Sequence, residues 1–291
     1  MYFLKSIIDF LIVLLLVRLL IRPVEANFNQ IYSLIYRITD YILKPAKLIV
    51  RNDLKSVWLS VLGLVFIRGL LYFFLFRRIT LAEGEGVSFL DIFQLLLRFY
   101  MVVWFITILT GNRAHTTVIS VLQRGFLPLS RLSSRLRIPS RFFTYFSFLI
   151  ILIIYSALSY LIHNNVSPDI FKKFPLYKPD ILSLPSSSII PLPQSFNFFH
   201  GIIEGLILII RLFPLPGFFS LIIFVGALLS WVSPDPYNPI VQTIYGISEP
   251  LLRPFRKIIP PLGGLDVSPI IALFCFWIIG IQVFGLLRQL M

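Results

Sequence analysis

The chain has 291 residues, of which 57% are hydrophobic, 15% aromatic and only 13% charged, with a mean hydropathy of +0.89. Soluble domains carry roughly 25% charged residues, so this composition excludes a water-soluble enzyme and a disordered regulator. It predicts a polytopic membrane protein. The 26 Lys and Arg residues outnumber the 13 Asp and Glu residues, which gives a net charge of +13. In a membrane protein such an excess indicates orientation and attraction to anionic lipid.

Five apolar runs of about 18–21 residues are each long enough to cross the hydrocarbon core of a bilayer. A sixth apolar region is broken by Pro214 and Pro216, which predicts a short span over Gly217–Val232 after an interfacial or half-inserted helix over Ile202–Phe213. We therefore predict an all-α transmembrane fold of about six membrane-spanning helices, arranged as three helical hairpins with amphipathic loop helices. The five clear runs are Tyr2–Ile21, Val57–Phe76, Ile92–Leu109, Phe142–Ile162 and Ser268–Leu287.

The basic residues are distributed unevenly between the two sides of this topology. Six spans place both termini on one side and the connections 23–56, 110–141 and 233–267 on the other. These three connections carry 14 Lys and Arg residues, against 7 on the opposite side. Because basic loops stay in the cytoplasm, we predict a multi-pass protein of the cell membrane with cytoplasmic basic loops and both termini outside. Asp9 and Arg18 interrupt the first run, which argues against a cleaved signal peptide.

The sequence contains an internal repeat. The segments Asn29–Pro45 and Asn238–Pro254 align at a fixed offset of 209 residues, which pairs Asp40 with Glu249, and a gap of four residues then pairs Asp53 with Asp266. A middle segment aligns more loosely at an offset of 122. We predict three units of span, basic loop and span. The resulting division is hairpin repeat 1 over 1–80, a weak repeat 2 over 87–163, a proline-rich external linker over 164–197 and repeat 3 over 198–291.

The last basic loop has the residues of a defined helix. Asn238 is predicted to cap a helix whose first residue is Pro239, and Pro250 to end its hydrogen-bonded part. Ser268 and Pro269 repeat the arrangement of cap and proline at the start of the last run.

A basic turn over 253–257 is predicted between these two helices, at the level of the lipid headgroups. It contains Arg253, Arg256 and Lys257, and we expect Glu249 and Asp266 to be their ion partners.

A series of polar and proline positions runs in order through this region: Ser230, Trp231, Asn238, Pro239, Glu249, Pro250, Arg253, Pro254, Arg256, Pro260, Asp266, Ser268 and Pro269. The series resembles the YGGT family of small bacterial and plastid membrane proteins, over about residues 225–285. Residues 1–76 resemble a degenerate copy and residues 87–163 an additional, weak copy. The family usually has an arginine four residues before the Ser-Trp pair, where this chain has Gly226.

The resemblance implies an integral membrane protein, and it leaves the biochemical task open. Some family members are linked to cell-division and shape neighbourhoods, and others to osmotic or ion homeostasis. Plastid relatives are linked to cytochrome assembly and nucleoid distribution.

Three arginines, Arg18, Arg68 and Arg98, lie within apolar runs. An arginine at the bilayer centre costs about 2.5–3.5 kcal/mol on insertion scales, so each is expected to face the protein interior or to reach the interface. One interpretation is a polar path or a gating charge, and the other is a buried ion pair. Arg68 is the best functional candidate because it lies near the middle of its run. Asp9 and Glu204 are the acids that lie clearly within apolar segments.

The connection 110–141 has six arginines and no acidic residue. Such a segment suits the surface of an anionic leaflet, although positive charge retained in the cytoplasm explains it as well. No module that reads RNA or DNA is visible, so we expect no nucleic-acid partner. The candidate lipid-facing residues are Arg124, Arg131, Arg135 and Arg137.

No catalytic motif or metal-ligand spacing occurs in the sequence. Cys275 is the single cysteine and the three histidines are scattered. We therefore predict a non-enzymatic protein without metal or cofactor, which organises or assembles other components at the membrane. Its expected partners are anionic lipid headgroups and an unidentified membrane protein. The alternative is a transport-related role, as a channel or as an accessory to ion or osmotic homeostasis.

Overall fold

The structure is a computed structural model, and it describes residues 2–27, 30–75, 80–110, 121, 124–139, 142–165, 196–232, 235–258 and 266–290. Across these residues the regular secondary structure is helical and contains no strand. Pro260 and most of the predicted linker 164–197 lie outside the described residues. The prediction of an all-helical fold is confirmed.

The helices follow the apolar and amphipathic segments in chain order. A 3-10 turn over Arg124–Phe126 precedes the sixth helix. The helices are α1 (Tyr2–Leu20), α2 (Pro23–Ala26), α3 (Gln30–Ile49), α4 (Asp53–Leu75), α5 (Leu81–Thr110), α6 (Leu127–Arg135), α7 (Phe143–Asn165), α8 (Phe198–Ile210), α9 (Phe218–Val232), α10 (Pro239–Ile258) and α11 (Ser268–Gln289).

Within the described part of the chain, four helices are long and apolar enough to cross a membrane: α4, α5, α7 and α11. The helices α8 and α9 are apolar but shorter, and the predicted break between them is confirmed. Helix α1 is as apolar on average as these four, but its 19 residues include three charged ones, Lys5, Asp9 and Arg18. The arrangement of six spans in three hairpins stays a prediction.

Helix α5 is longer than predicted. Its apolar run was expected to begin at Ile92, but the helix begins at Leu81. Thr80 and Glu83 form a capping box, in which the Glu83 N–H donates to the Thr80 hydroxyl (3.3 Å) and the Thr80 N–H donates to the Glu83 carboxylate (2.9 Å). Hydropathy alone missed this first part of the helix because it carries charged residues.

The described residues form two compact units, one within Met1–Leu95 and Leu161–Phe171 and the other within Leu96–Tyr160 and Lys172–Met291. In the first unit, α1, α3 and α4 pack against one another. In the second unit, α9, α10 and α11 pack against one another, and α8 packs on α11. Both units thus contain an amphipathic helix between two apolar helices. The amphipathic helices α3 and α10 have 20 residues each and stand at the predicted offset of 209.

Aromatic rings fill the core of the second unit around the break between α8 and α9. The Phe213 ring stacks on Phe219 with 5.0 Å between centroids and meets the edges of Phe105 and Phe276. The backbone turns sharply here, and Gly280 of α11 leaves the space that Pro214 occupies. The proline break therefore packs inside the unit.

Helix α10 corrects the expectation that Pro250 ends its hydrogen-bonded part. The helix continues to Ile258 with Pro250 and Pro254 inside it, and residues 253–257 are helical where a turn was predicted. Each proline removes one backbone hydrogen bond. Burial of Ile247, Leu251 and Leu252 between α9 and α11 offsets that loss.

The two predicted caps have different outcomes. The Asn238 side chain accepts a hydrogen bond from the Ile240 N–H (2.9 Å) at the start of α10, as predicted. Ser268 is not a cap, because α11 begins at Ser268 itself. Asp266 takes that role, since its carboxylate accepts from the Ser268 N–H at 2.9 Å.

Two glycines of the first unit allow a test of its packing. A Cβ on Gly84 of α5 would lie 2.9 Å from the carbonyl oxygen of Gly69 in α4, whereas a Cβ on Gly63 meets no atom within 4 Å. We expect Gly84→Ala to lower the free energy of unfolding by about 1–3 kcal/mol through overpacking. Gly63→Ala is the control and should leave it unchanged or raise it. Thermal unfolding in detergent measures both, and equal melting temperatures for the two variants would contradict this packing.

Candidate functional site

A cluster of charged side chains lies inside the first unit, around Arg68 of α4. The Arg68 side chain is fully buried. Its Nη1 lies 2.5 Å from Asp9 Oδ1 on α1, its Nε donates to Ser88 Oγ on α5 at 3.1 Å, and its Nη2 donates to the Ser88 carbonyl at 2.5 Å. One guanidinium therefore joins three helices.

Asp91 of α5 is the second centre of this cluster. It accepts a hydrogen bond from Lys5 Nζ at 3.0 Å and another from the Tyr72 hydroxyl. Arg68 Nε lies 3.9 Å from Asp91 Oδ2, the oxygen that accepts from Tyr72. Two cations and two carboxylates, Lys5, Arg68, Asp9 and Asp91, thus neutralise one another.

Sequence spacing explains how α4 and α5 build the cluster. Arg68 and Tyr72 are four residues apart on one face of α4, and Ser88 and Asp91 are three apart on one face of α5. The Ser88 hydroxyl also donates to the Val65 carbonyl of α4 at 2.6 Å.

Asp91 corrects the expectation that Asp9 and Glu204 are the acids within apolar segments. It was missed because it lies one residue before the predicted run. The capping box at Thr80 is the sequence signal that would have extended the helix to include it. Glu204 is buried on α8 of the second unit, where it accepts a hydrogen bond from Ser159 at 2.6 Å.

Arg18 lies in a separate polar contact between α1 and α3. Its guanidinium donates to Thr39 Oγ1 at 2.7 Å, lies 2.9 Å from Asp40 Oδ1 and stacks over the Tyr36 ring at 4.1 Å. Arg98 belongs to the second unit, and its buried Nε has no hydrogen-bond partner among the described residues. The structure therefore does not bring Arg18, Arg68 and Arg98 into one site.

The structure explains why glycine suits the family's arginine position in the second unit. A Cβ on Gly226 of α9 would lie 3.1 Å from Ser248 Oγ of α10. Ser248 stands 209 residues after Thr39, the partner of Arg18 in the first unit. At this position of the second unit, α9 and α10 are in direct contact. At the equivalent position of the first unit, the Arg18 guanidinium lies between α1 and α3.

Arg256 forms a clip, which we define as one cation held between two carboxylates. Its Nε donates to Asp266 Oδ2 at 2.7 Å, and its Nη1 pairs with Glu249. Burial alone raises the pKa of Asp266, but hydrogen bonds from Ser268 and Arg256 outweigh burial and hold that pKa below its ordinary value. The sequence prediction that Glu249 and Asp266 pair with the basic segment is confirmed for Arg256.

A second clip occupies the equivalent place in the first unit. Lys47 Nζ lies 3.3 Å from Asp40 Oδ1 and 3.3 Å from Asp53 Oδ1. At the offset of 209, Lys47 corresponds to Arg256 and Asp40 to Glu249. Lys47 was missed in the sequence, although the repeat had already paired both of its carboxylate partners.

Several of the other predicted residues lie on the surface of the helices, whereas Pro269 is buried. Ser230, Trp231, Arg253 and Pro254 are exposed, as are Arg131 and Arg135 of α6 and Arg137 behind it; Arg124 is half-buried. No group of three or more His, Cys, Asp or Glu residues able to hold a metal ion occurs in the ranges that the structure describes.

Arg68 and Asp9 allow a test of the cluster. Removing one partner of a buried ion pair leaves the other uncompensated, so we expect Arg68→Leu to lower the free energy of unfolding by about 3–5 kcal/mol. The double variant Arg68→Leu/Asp9→Leu should recover part of that loss, as measured by unfolding in detergent. Arg51→Leu, at an exposed position, is the control and should have little effect. Additive effects of the two substitutions would contradict the pair.

Comparison with known proteins finds a family match for part of the second unit. The CCB3/YggT family model matches residues 203–287. Protein PA0392 of Pseudomonas aeruginosa is 48% identical over 82 residues, which are 28% of this chain and 41% of that protein. YggT of Escherichia coli K12 is 34% identical over 86 residues, 30% of this chain and 44% of that protein.

A plant relative is similar over a shorter stretch. The chloroplastic YlmG homolog protein 2 of Arabidopsis thaliana is 37% identical over 70 residues, 24% of this chain and 28% of that protein. The chain thus spans less than half the length of the relatives it matches. No solved structure matches it. Residues 203–287 of this chain therefore match the YggT family, and their apolar helices are those of a membrane protein.

Proposed function

We propose that this chain is a non-enzymatic protein of the cell membrane that organises or assembles other membrane components. Its partners are anionic lipid headgroups and a membrane protein that docks on the amphipathic helix α10. The basic connections face the cytoplasm in this proposal, and both termini lie outside, in accord with the excess of Lys and Arg in those connections.

The repeated clip is the observation that carries this proposal. Lys47 and Arg256 each tie an amphipathic helix to the start of the apolar helix that follows it. Each clip leaves a neighbouring cation exposed, Lys44 on α3 and Arg253 on α10. These two residues correspond at the offset of 209, so each amphipathic helix presents an exposed cation at the same position beside its clip. Fixed surfaces of this kind suit binding, because a bound partner then orders few additional groups.

The exposed arginines of α6 support the same proposal. Arg131 and Arg135 are four residues apart and exposed, so they share one face of the helix. Arg137 has a φ of 54° and closes the helix, since the Ile138 N–H donates to the Ser133 carbonyl. We propose anionic headgroups as the ligands of this basic face.

A transport-related role is the second candidate, and the cluster around Arg68 favours it. Charged side chains inside apolar helices mark the ion pathways of many transporters. In this cluster, however, each carboxylate already has a cation within hydrogen-bond distance. A carrier for protons or cations needs a carboxylate that can bind the transported ion. Because both carboxylates of this cluster are already paired, the cluster favours a structural role.

A photocrosslinking amino acid at Arg253 tests the proposal in cells. We expect a discrete crosslinked membrane protein, because Arg253 stands on the exposed basic face of α10. The same amino acid at Phe274, an exposed position on the apolar helix α11, is the control and should give no such product. Identical crosslinks from the two positions would contradict docking on α10.

Ion flux through liposomes that contain the purified protein separates the two candidates. The organising role predicts no flux from the wild-type protein. Flux from the wild-type protein that is abolished in Arg68→Leu protein shown to be folded in the liposomes would overturn that role and establish transport.

A further inference from the structure

Helix α3 is apolar over a wide arc, of which one edge is buried and the opposite edge is exposed. One face is buried against α1 and α4 and includes Tyr32, Thr39, Leu43 and Ala46. The other face is exposed, with Leu48 at 90%, Tyr41 at 67% and Leu34 at 55% of full exposure. These three residues are seven apart, so they form one row along the helix. Ile38 and Ile49, also exposed, widen the row.

A line of cations borders this exposed row on one side. Arg37 and Lys44 are exposed and seven residues apart, and Lys44 Nζ lies 4.6 Å above the ring of Tyr41. Lys47 belongs to the clip and is already paired with Asp40 and Asp53. The two cations that remain stand between the clip and the apolar row.

Contacts at two points fix where α3 lies along the neighbouring helices. Arg18, in the last turn of α1, holds Thr39 and Asp40. Lys47 holds Asp53, in the first turn of α4. Helix α3 is thus attached to the end of one apolar helix and to the beginning of the next. In a membrane these ends lie at the border between hydrocarbon and water.

The corresponding face of α10 has a different chemistry. The residues 209 positions after Leu34, Tyr41 and Leu48 are Thr243, Pro250 and Lys257. A long apolar row is therefore particular to α3, although the clip is common to both helices. The difference indicates a binding property of the first unit that the repeat alone does not require.

We propose that α3 lies within the headgroup layer of an anionic phospholipid leaflet. Leu34, Tyr41 and Leu48 insert among the acyl chains, and Arg37 and Lys44 bind lipid phosphate groups. A helix with an apolar face and a cationic border takes this position because its apolar side chains then contact acyl chains while its cations contact lipid phosphates. Each cation adds attraction to an anionic surface. This inference rests on the part of the proposed function that names anionic lipid headgroups as partners, whereas the organising role is tested separately by crosslinking from α10.

Spin labels on the full chain in nanodiscs test the inference in the absence of any protein partner. Cysteine replaces Leu34 or Leu48 in a Cys275→Ser background, and power saturation compares contact with oxygen and with a water-soluble nickel complex. Both labels are expected to be accessible to oxygen and shielded from nickel. A label at Gln242, exposed on the polar side of α10, is the control and should contact nickel. A label at Leu48 that contacts nickel as freely as the control would overturn the inference and leave a protein partner as the occupant of this face.

The lipid composition tests the role of the cations. Nanodiscs of phosphatidylcholine with phosphatidylglycerol should shift the Leu48 label to greater depth than phosphatidylcholine alone. The variant Arg37→Gln/Lys44→Gln should lose this shift while its melting temperature stays that of the parent, because both positions are exposed. Equal depth in both lipids, or a shift that survives the double substitution, would overturn the binding of anionic headgroups.

Discussion

A charge inside an apolar helical unit must lie beside an opposite charge, and this constraint sets the arrangement of the first unit. Transfer of an isolated ion from water into a medium of low polarity is costly, whereas a hydrogen-bonded pair is tolerated. Arg68 can therefore be buried only where Asp9 and Ser88 meet it. Because these partners belong to α1 and α5, one guanidinium determines which faces of three helices turn inward.

The same constraint acts at the ends of the apolar helices, where it produces the two clips. Arg256 joins α10 to the residue that caps α11, and Lys47 joins α3 to the first turn of α4. Exposed ion pairs contribute little to stability individually, so their effect is to fix the angle between an amphipathic helix and the apolar helix that follows. The two clips correspond at an offset of 209, with a gap of four residues before the second carboxylate, and we interpret this as the derivation of both units from one ancestral unit.

The apolar pattern predicted the existence of the helices well, and the polar spacing predicted part of the site. The cap at Asn238 and the pairing of Arg256 with Glu249 and Asp266 were predicted correctly, because both depend on residues close together in the sequence. The extent of α10 did not, because burial between two helices compensates for the prolines within it. Asp91 was missed for a related reason, since hydropathy cannot show that a charged turn continues an apolar helix. The contacts of Arg68 depend on three helices that meet only in the folded unit.

Side-specific labelling of the two amphipathic helices tests the duplication most directly. In a Cys275→Ser background, single cysteines replace Lys44 on α3 and Arg253 on α10, two exposed positions that correspond at the offset of 209. A membrane-impermeant maleimide is then applied to intact cells and to inverted membrane vesicles. Copies of one unit in the predicted topology should both react in the inverted vesicles and both be protected in intact cells. Reaction of the two cysteines from opposite sides of the membrane would contradict the duplication.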